Sequence, residues 1–207
     1  MLENVITEDQ KINVLLEQLI KNCSYCKSAK DEKLIRKAFK MANEAHKGMR
    51  RKSGDPFIIH PLEVAVIVSE EIGLGVTSTV CAILHDVVED TQFTEDDIIE
   101  TFGTEVAGIV AGVTQLGAVP LKGARARQAE NIRKMFLAMA SDVRVVFIKF
   151  ADRLHNMETL YAMPKHKQER TARETREIYA PIAGRLGMAE VKGELEDMAF
   201  SYLQPKD

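Results

Sequence analysis

Cysteine is scarce, with three in 207 residues. That is too few for a disulfide framework and places the chain in a reducing cytoplasm. Cys23 and Cys26 have CxxC spacing, but no second thiolate pair exists to complete a four-sulfur zinc site, so we read the pair as incidental. No apolar run approaches membrane-spanning length, and Met1-Leu2-Glu3-Asn4-Val5 lacks the charged-then-apolar layout of a signal peptide. An excess of one charge is missing too. A formal net charge of −3 gives the whole molecule no attraction for nucleic acid or a membrane surface, so any polyanion site has to be local. Internal repeats, low-complexity tracts and sustained heptads are also lacking.

What remains is an ordinary globular composition, 45% hydrophobic and 29% charged, long enough for one domain or a domain with an appendage. Nearly every segment has helical periodicity, which predicts an all-α fold. Residues 5–20 carry Val5, Ile12, Leu15, Leu16, Leu19 and Ile20 at helical spacing, and 31–47 repeat the pattern. The pattern breaks between Gly48 and Pro56, where Ser53-Gly54-Asp55-Pro56 predicts a tight loop or small hairpin. Pro61 begins the next helix, which runs to about Ile72. Another helix follows Thr77 and continues through Thr91, and Thr94 with Asp97 forms a capping box. Gly117, Pro120 and Gly123 mark a loop over 117–128 that, with Lys122, Arg125 and Arg127, could gate a site. Gln128 to Met139 is helical. Arg144-Val145-Val146-Phe147-Ile148 alone would pass for a strand, but a Ser141 cap and the spacing through Asp152, Asn156 and Leu160 favour one long helix. Residues 168–184 and 189–203 complete the helical set.

Chemistry concentrates in Leu84-His85-Asp86-Val87-Val88-Glu89-Asp90-Thr91. On a helix of about 100° per residue, His85, Asp86, Glu89 and Asp90 share an arc of roughly 140°. Val80, Cys81, Leu84, Val87 and Val88 occupy the opposite arc as a core face. Three crowded carboxylates call for a cation, unless the segment is a solvated acidic helix end. Only five histidines are present: His46, His60, His85, His155 and His166. His60, between Ile59 and Pro61, is either a hydrogen-bonded core histidine or a ligand. Asp152 follows a strongly apolar stretch, with Asn156 and Thr159 on its helix face; an Asp–Arg surface pair is the alternative. Together His60, His85, Asp86 and Asp152 offer two imidazoles and two carboxylates, a shell that suits Mn²⁺, Fe²⁺ or Zn²⁺. His155 lies about 60° from Asp152 on the helix and is read as structural, and His46 and His166 as ordinary histidines.

The order His…His-Asp…Asp resembles that of the HD metallophosphohydrolases. Longer strings are more specific: 51–61 (RKSGDPFIIHP), 85–91 (HDVVEDT) and 149–157 (KFADRLHNM) are similar to the hydrolase domain of the Rel/SpoT stringent-response proteins. The likeness spans roughly 30–203, including 129–135 and 177–181. It implies an HD-type helical bundle and metal-dependent hydrolysis of the 3′-pyrophosphate of ppGpp and pppGpp, giving GDP or GTP plus pyrophosphate. Carried over residue by residue, it implies Mn²⁺ on His60, His85, Asp86 and Asp152. Glu89 and Asp90 become the catalytic carboxylates. Arg51, Lys52 and Ser53 become nucleotide contacts in the loop, and Asn156 and Thr159 nucleotide-pocket residues.

The resemblance also implies three parts: residues 1–29 as an N-terminal helix and loop, 30–165 as the HD hydrolase, and 166–207 as helices leading to a synthetase domain. Such a chain would be a fragment of a longer enzyme whose synthetase and regulatory domains are its partners, with no nucleic acid and no membrane. Two positions depart from the family's usual strings: Gly184 replaces a histidine and Gly193 a tryptophan, which bears on C-terminal packing rather than on the hydrolase site. An HD phosphohydrolase for another nucleotide is the enzyme alternative. A degenerate regulatory module is the non-enzyme alternative, disfavoured because every metal and carboxylate position is retained.

Overall fold

The computed structural model describes residues 7–116 and 124–204, so the first part of the expected gating loop, 117–123 with Lys122, lies outside the described residues, and its remainder, 124–128, is the first part of a helix rather than loop. The described chain is helical, without a named strand, as the periodicity predicts. It divides into two compact units, residues 1–114 and 115–207. No described helix is long and apolar enough to cross a membrane.

In the first unit, α1 (Glu8–Asn22) and α2 (Ala29–Ala45) both start at capping boxes, on Thr7 and Ser28. Cys23 and Cys26 connect them. The Cys26 amide donates to the Cys23 carbonyl, and this turn brings the two sulfurs together as a disulfide, against the expectation that the pair is incidental. The break after α2 is a small hairpin, with an antiparallel bridge between Arg50 and Pro56. Gly54, at φ +95°, makes its turn. Next come α3 (Ile59–Val66), a π-helical turn over Ile67–Glu71, and α4 (Val76–Leu84). From Ser78 to Leu84 every residue of α4 is buried, because the helix is covered by both α2 and α3. A helix apolar on all sides can only sit there.

The expected continuous helix from Thr77 to Thr91 does not form. It breaks at His85-Asp86, and a single turn, α5 (Val87–Asp90), follows. Val80, Cys81, Leu84 and Val87 are buried as expected, and Val88 is half-buried. The unit closes with α6 (Glu95–Phe102), which starts on the predicted Thr94–Asp97 capping box, and α7 (Thr104–Gln115).

The second unit comprises α8 (Ala124–Ser141), α9 (Val143–Glu158), α10 (Lys165–Glu174), a π turn over Thr175–Tyr179, α11 (Ala180–Arg185) and α12 (Ala189–Leu203). The ambiguous 144–148 segment is helix. Its cap is Asp142 rather than Ser141, the Asp142 carboxylate accepting from the Arg144 amide at 2.9 Å. At Gly184 a Cβ would stand 2.9 Å from Lys192 Cδ, so α11 approaches α12 where the lysine stem takes the space of a side chain.

Candidate metal and carboxylate centre

The break between α4 and α5 is what presents the His85-Asp86 doublet. Leu84 ends the helix, the buried stretch runs on through His85, and the turn lets Asp86 face the start of α3, which carries His60. Asp86 spans the two imidazoles: Oδ1 lies 3.1 Å from His85 Nε2, and Oδ2 lies 3.5 Å from His60 Nε2. Both imidazoles are buried, whereas the Asp86 side chain keeps 18% exposure. The two rings meet edge to face with centroids 5.1 Å apart.

His85 Nδ1 is 2.7 Å from the Ala82 carbonyl oxygen. A carbonyl only accepts, so Nδ1 carries the hydrogen, and Nε2 of the neutral ring presents a lone pair to Asp86. Two lone-pair atoms at 3.1 Å call for positive charge on them, a proton or a metal ion. The donor set therefore fits a divalent cation held by imidazole nitrogen and carboxylate oxygen. Fixing the metal-facing nitrogen through the other one is a familiar supporting arrangement.

Glu89 and Asp90 are exposed on α5. The Asp90 carboxyl is pushed up from the usual carboxylate range, first by partial burial and then by the negative charge of Asp86. The Arg51 guanidinium is among the groups that pull the other way, which puts it in the electrostatic neighbourhood of Asp90. Lys52 is exposed. Ser53 is committed to the hairpin, its hydroxyl donating to Asp55 Oδ2 at 2.7 Å.

His46, read from the sequence as ordinary, is buried at 3% exposure and stacks on Phe57 with centroids 4.4 Å apart. Phe57 in turn meets His60 edge-on at 6.2 Å. The sequence holds little to mark His46, since the stack exists only once the hairpin folds back.

In the second unit, Asp152 is buried on α9 at 5% exposure. Lys149 Nζ lies 2.6 Å from its Oδ2, and Asn156 Nδ2 donates to Oδ1 at 2.5 Å. The Asp–Arg surface pair considered for this segment is thus replaced by a buried Asp152 between Lys149 and Asn156. The only sequence signal for Lys149 is its spacing, three residues before Asp152 on one helix. Thr159 donates to the His155 carbonyl at 3.0 Å, and His155 is buried.

A family model described as the HD domain matches residues 38–189. The chain belongs to the HD domain family. The curated relatives of this HD domain are long bacterial proteins. It is 48% identical to a Myxococcus xanthus GTP pyrophosphokinase, covering 86% of this chain and 24% of that protein. With a probable GTP pyrophosphokinase of Mycobacterium leprae it shares 52% identity over 84% of this chain and 22% of that protein. For the GTP pyrophosphokinase rsh of Brucella melitensis the figures are 44%, 91% and 25%. The chain thus spans about a quarter of the length of these relatives. Among solved structures, a metazoan ortholog of SpoT, which hydrolyses ppGpp and plays a role in starvation responses, superposes with a TM-score of 0.60 at 25% identity. That likeness covers 86% of this chain and 98% of the other. The crystal structure of lmo0812 from Listeria monocytogenes EGD-e shares the fold, with a TM-score of 0.51 at 23% identity.

Proposed function

We propose that this HD domain hydrolyses the 3′-pyrophosphate ester of ppGpp and pppGpp, leaving GDP or GTP plus pyrophosphate, as part of the bacterial stringent response. The observation that carries the reading is Asp86 set between His60 and His85, in a chain about half identical to GTP pyrophosphokinases. The metazoan ortholog of SpoT that hydrolyses ppGpp supports the choice of substrate.

In this reading His60, His85, Asp86 and Asp152 hold Mn²⁺. His60, His85 and Asp152 are all buried, and each offers one ligand atom. Bound there, the ion would lower the pKa of water and polarise the phosphoryl oxygen under attack. The protein's own groups do the rest. Asp90, with its raised pKa, and Glu89 beside it orient the attacking water and take its proton. Arg51 and Lys52 offset the charge of the tetraphosphate, Arg51 through a two-pronged guanidinium and Lys52 as a point charge. Ser53, Asn156 and Thr159 complete the nucleotide contacts. The hydrolase runs over residues 30–165, and the synthetase domain expected of a longer parent is its partner in the cytoplasm.

The deciding experiment measures pyrophosphate release from ppGpp with and without Mn²⁺, identifies GDP as the co-product, and offers other nucleotides in competition. Metal-dependent release of both products is the expected result. Preferred turnover of an unrelated nucleotide would move the assignment elsewhere in the HD family, and no turnover with metal bound would sink the enzymatic reading.

A further inference from the structure

The hairpin after α2 carries Arg50, Arg51 and Lys52 in a row, and the proposed chemistry uses only the last two. Arg50 is committed elsewhere. Its guanidinium makes a two-pronged contact with Glu8 in the first turn of α1, Nη1 donating to Oε1 and Nη2 to Oε2, each at 2.9 Å. Nη1 also donates to the Gly54 carbonyl at 2.7 Å. One side chain thus ties the turn of the hairpin to a helix that lies 42 residues earlier in the chain.

The two ends of this tie differ in stiffness. Buried Ile12, Leu16 and Leu19 anchor α1, which packs on α3, the helix that carries His60. The hairpin has only a short ladder, in which the Arg51 amide donates to the Asp55 carbonyl and the Phe57 amide to the Met49 carbonyl, both at 3.0 Å. A two-stranded hairpin is marginal without outside support, so Glu8 is the fixed point and the hairpin is the part being held. Arg50 and Arg51 face different ways. Successive side chains of an extended chain point to opposite sides, and here the Arg50 side chain keeps 55% exposure while Arg51 Nη1 is buried. Holding Arg50 on α1 therefore sets the direction of its neighbour.

We propose that Glu8 is a positioning residue for Arg51: its carboxylate holds Arg50 on α1, and this keeps the hairpin in the arrangement that presents Arg51 to the nucleotide. The proposal rests on the hydrolase reading for its kinetic consequence, but not for the bracing of the hairpin. Exposed ion pairs add little to stability, and both members of this pair are more than half exposed. The effect of Glu8 is accordingly expected on the hairpin and on substrate affinity, and not on the melting temperature.

Two measurements on the whole chain decide the matter. The first is amide hydrogen exchange without substrate. Glu8→Gln is expected to speed exchange of the Arg51 and Phe57 amides about 2–5-fold, the scale of an exposed ion pair, and to leave the His46 amide at the end of α2 unchanged. Asp9→Asn removes the neighbouring first-turn charge of α1 and is expected to change neither exchange nor kinetics, which separates the tie to Arg50 from a general helix-end effect. Unchanged exchange at Arg51 and Phe57 in Glu8→Gln would overturn the proposal. The second measurement is ppGpp hydrolysis. Glu8→Gln is expected to raise KM about 2–5-fold, with kcat, bound metal and melting temperature as in the wild type. In an Arg50→Gln background the same substitution is expected to do nothing further, because the pair is already broken. A KM effect that persists at full size without Arg50, or a loss of melting temperature and metal in parallel with activity, would make Glu8 something other than a brace for the hairpin. If the wild type fails to hydrolyse ppGpp, the hydrolase reading falls alone, and exchange still decides whether Glu8 holds the hairpin.

Discussion

His85 Nε2 and Asp86 Oδ1 stand 3.1 Å apart as neighbours in sequence, and the hydrogen of His85 is already committed to Ala82. Two adjacent residues seldom point ligand atoms at a common point within a regular helix, where successive side chains diverge by about 100°. The break between α4 and α5 removes that restriction. The same break leaves Val87 in the core, so apolar burial anchors the turn from both sides.

Asp86→Ala should therefore remove metal and turnover together. The expected loss in metal affinity exceeds the ~10–100-fold typical of a supporting residue, because Asp86 is itself a proposed ligand. Metal content after dialysis, read beside pyrophosphate release, checks it. Stoichiometric metal in Asp86→Ala would exclude the residue from the ligand set.

Asp142 caps α9, the helix that carries Asp152, and Arg144 holds its carboxyl below the usual carboxylate range, chiefly by hydrogen bonding. An acid whose folded pKa is depressed adds stability that is fully present above its ordinary pKa of about 3.9. That contribution disappears as the pH falls through the depressed value. Asp142→Ala should cost about 0.5–2 kcal/mol at neutral pH, the usual range for a lost cap. The difference from wild type should narrow in strong acid. Denaturant melts at pH 7 and near pH 3 test the sign; a gap that widens in acid contradicts it.

Lys149 is the resident cation on Asp152, with side-chain exposures of 14% and 7% for the pair. Removing one member of a buried pair costs roughly 3–5 kcal/mol because the other charge is stranded. Lys149→Met should thus lower the melting temperature of the metal-free protein. If Asp152 binds Mn²⁺, the added ion should restore more stability to Lys149→Met than to the wild type. Equal thermal shifts on adding Mn²⁺ would detach Asp152 from the metal.

Much of the fold was legible because helical spacing, caps and turn residues agreed. The Thr94–Asp97 box, the hairpin closed by Gly54 and the helix through 144–148 all follow from local chemistry that tertiary packing did not override. The break at His85-Asp86 was not legible. Asp86 keeps φ −97° and ψ −5°, still in the right-handed region, so the apolar spacing on either side runs on undisturbed. His46 escaped for a different reason. Its meaning comes from Phe57, eleven residues on across the hairpin, and a stacked ring with a stranded acceptor leaves no periodic signature. Composition does not reveal the CxxC pair: counting cysteines addresses a framework, whereas one local turn suffices to join Cys23 to Cys26.

Asn156 separates two accounts of the same helix face. As a nucleotide contact it would act on substrate alone, and Asn156→Ala would raise KM while sparing metal. The amide nitrogen, however, donates to Asp152 Oδ1, and Lys149 takes the other oxygen, so the carboxylate is held from both sides. Partners that orient a ligating carboxylate typically contribute 10–100-fold to metal affinity or activity. Asn156→Ala should accordingly weaken Mn²⁺ binding by about that factor, with a rise in KM that shrinks when Mn²⁺ is saturating. Calorimetric titration of Mn²⁺ into both proteins, followed by kinetics at high Mn²⁺, resolves the two roles. An unchanged metal affinity with a persistent KM defect would return Asn156 to the nucleotide pocket alone.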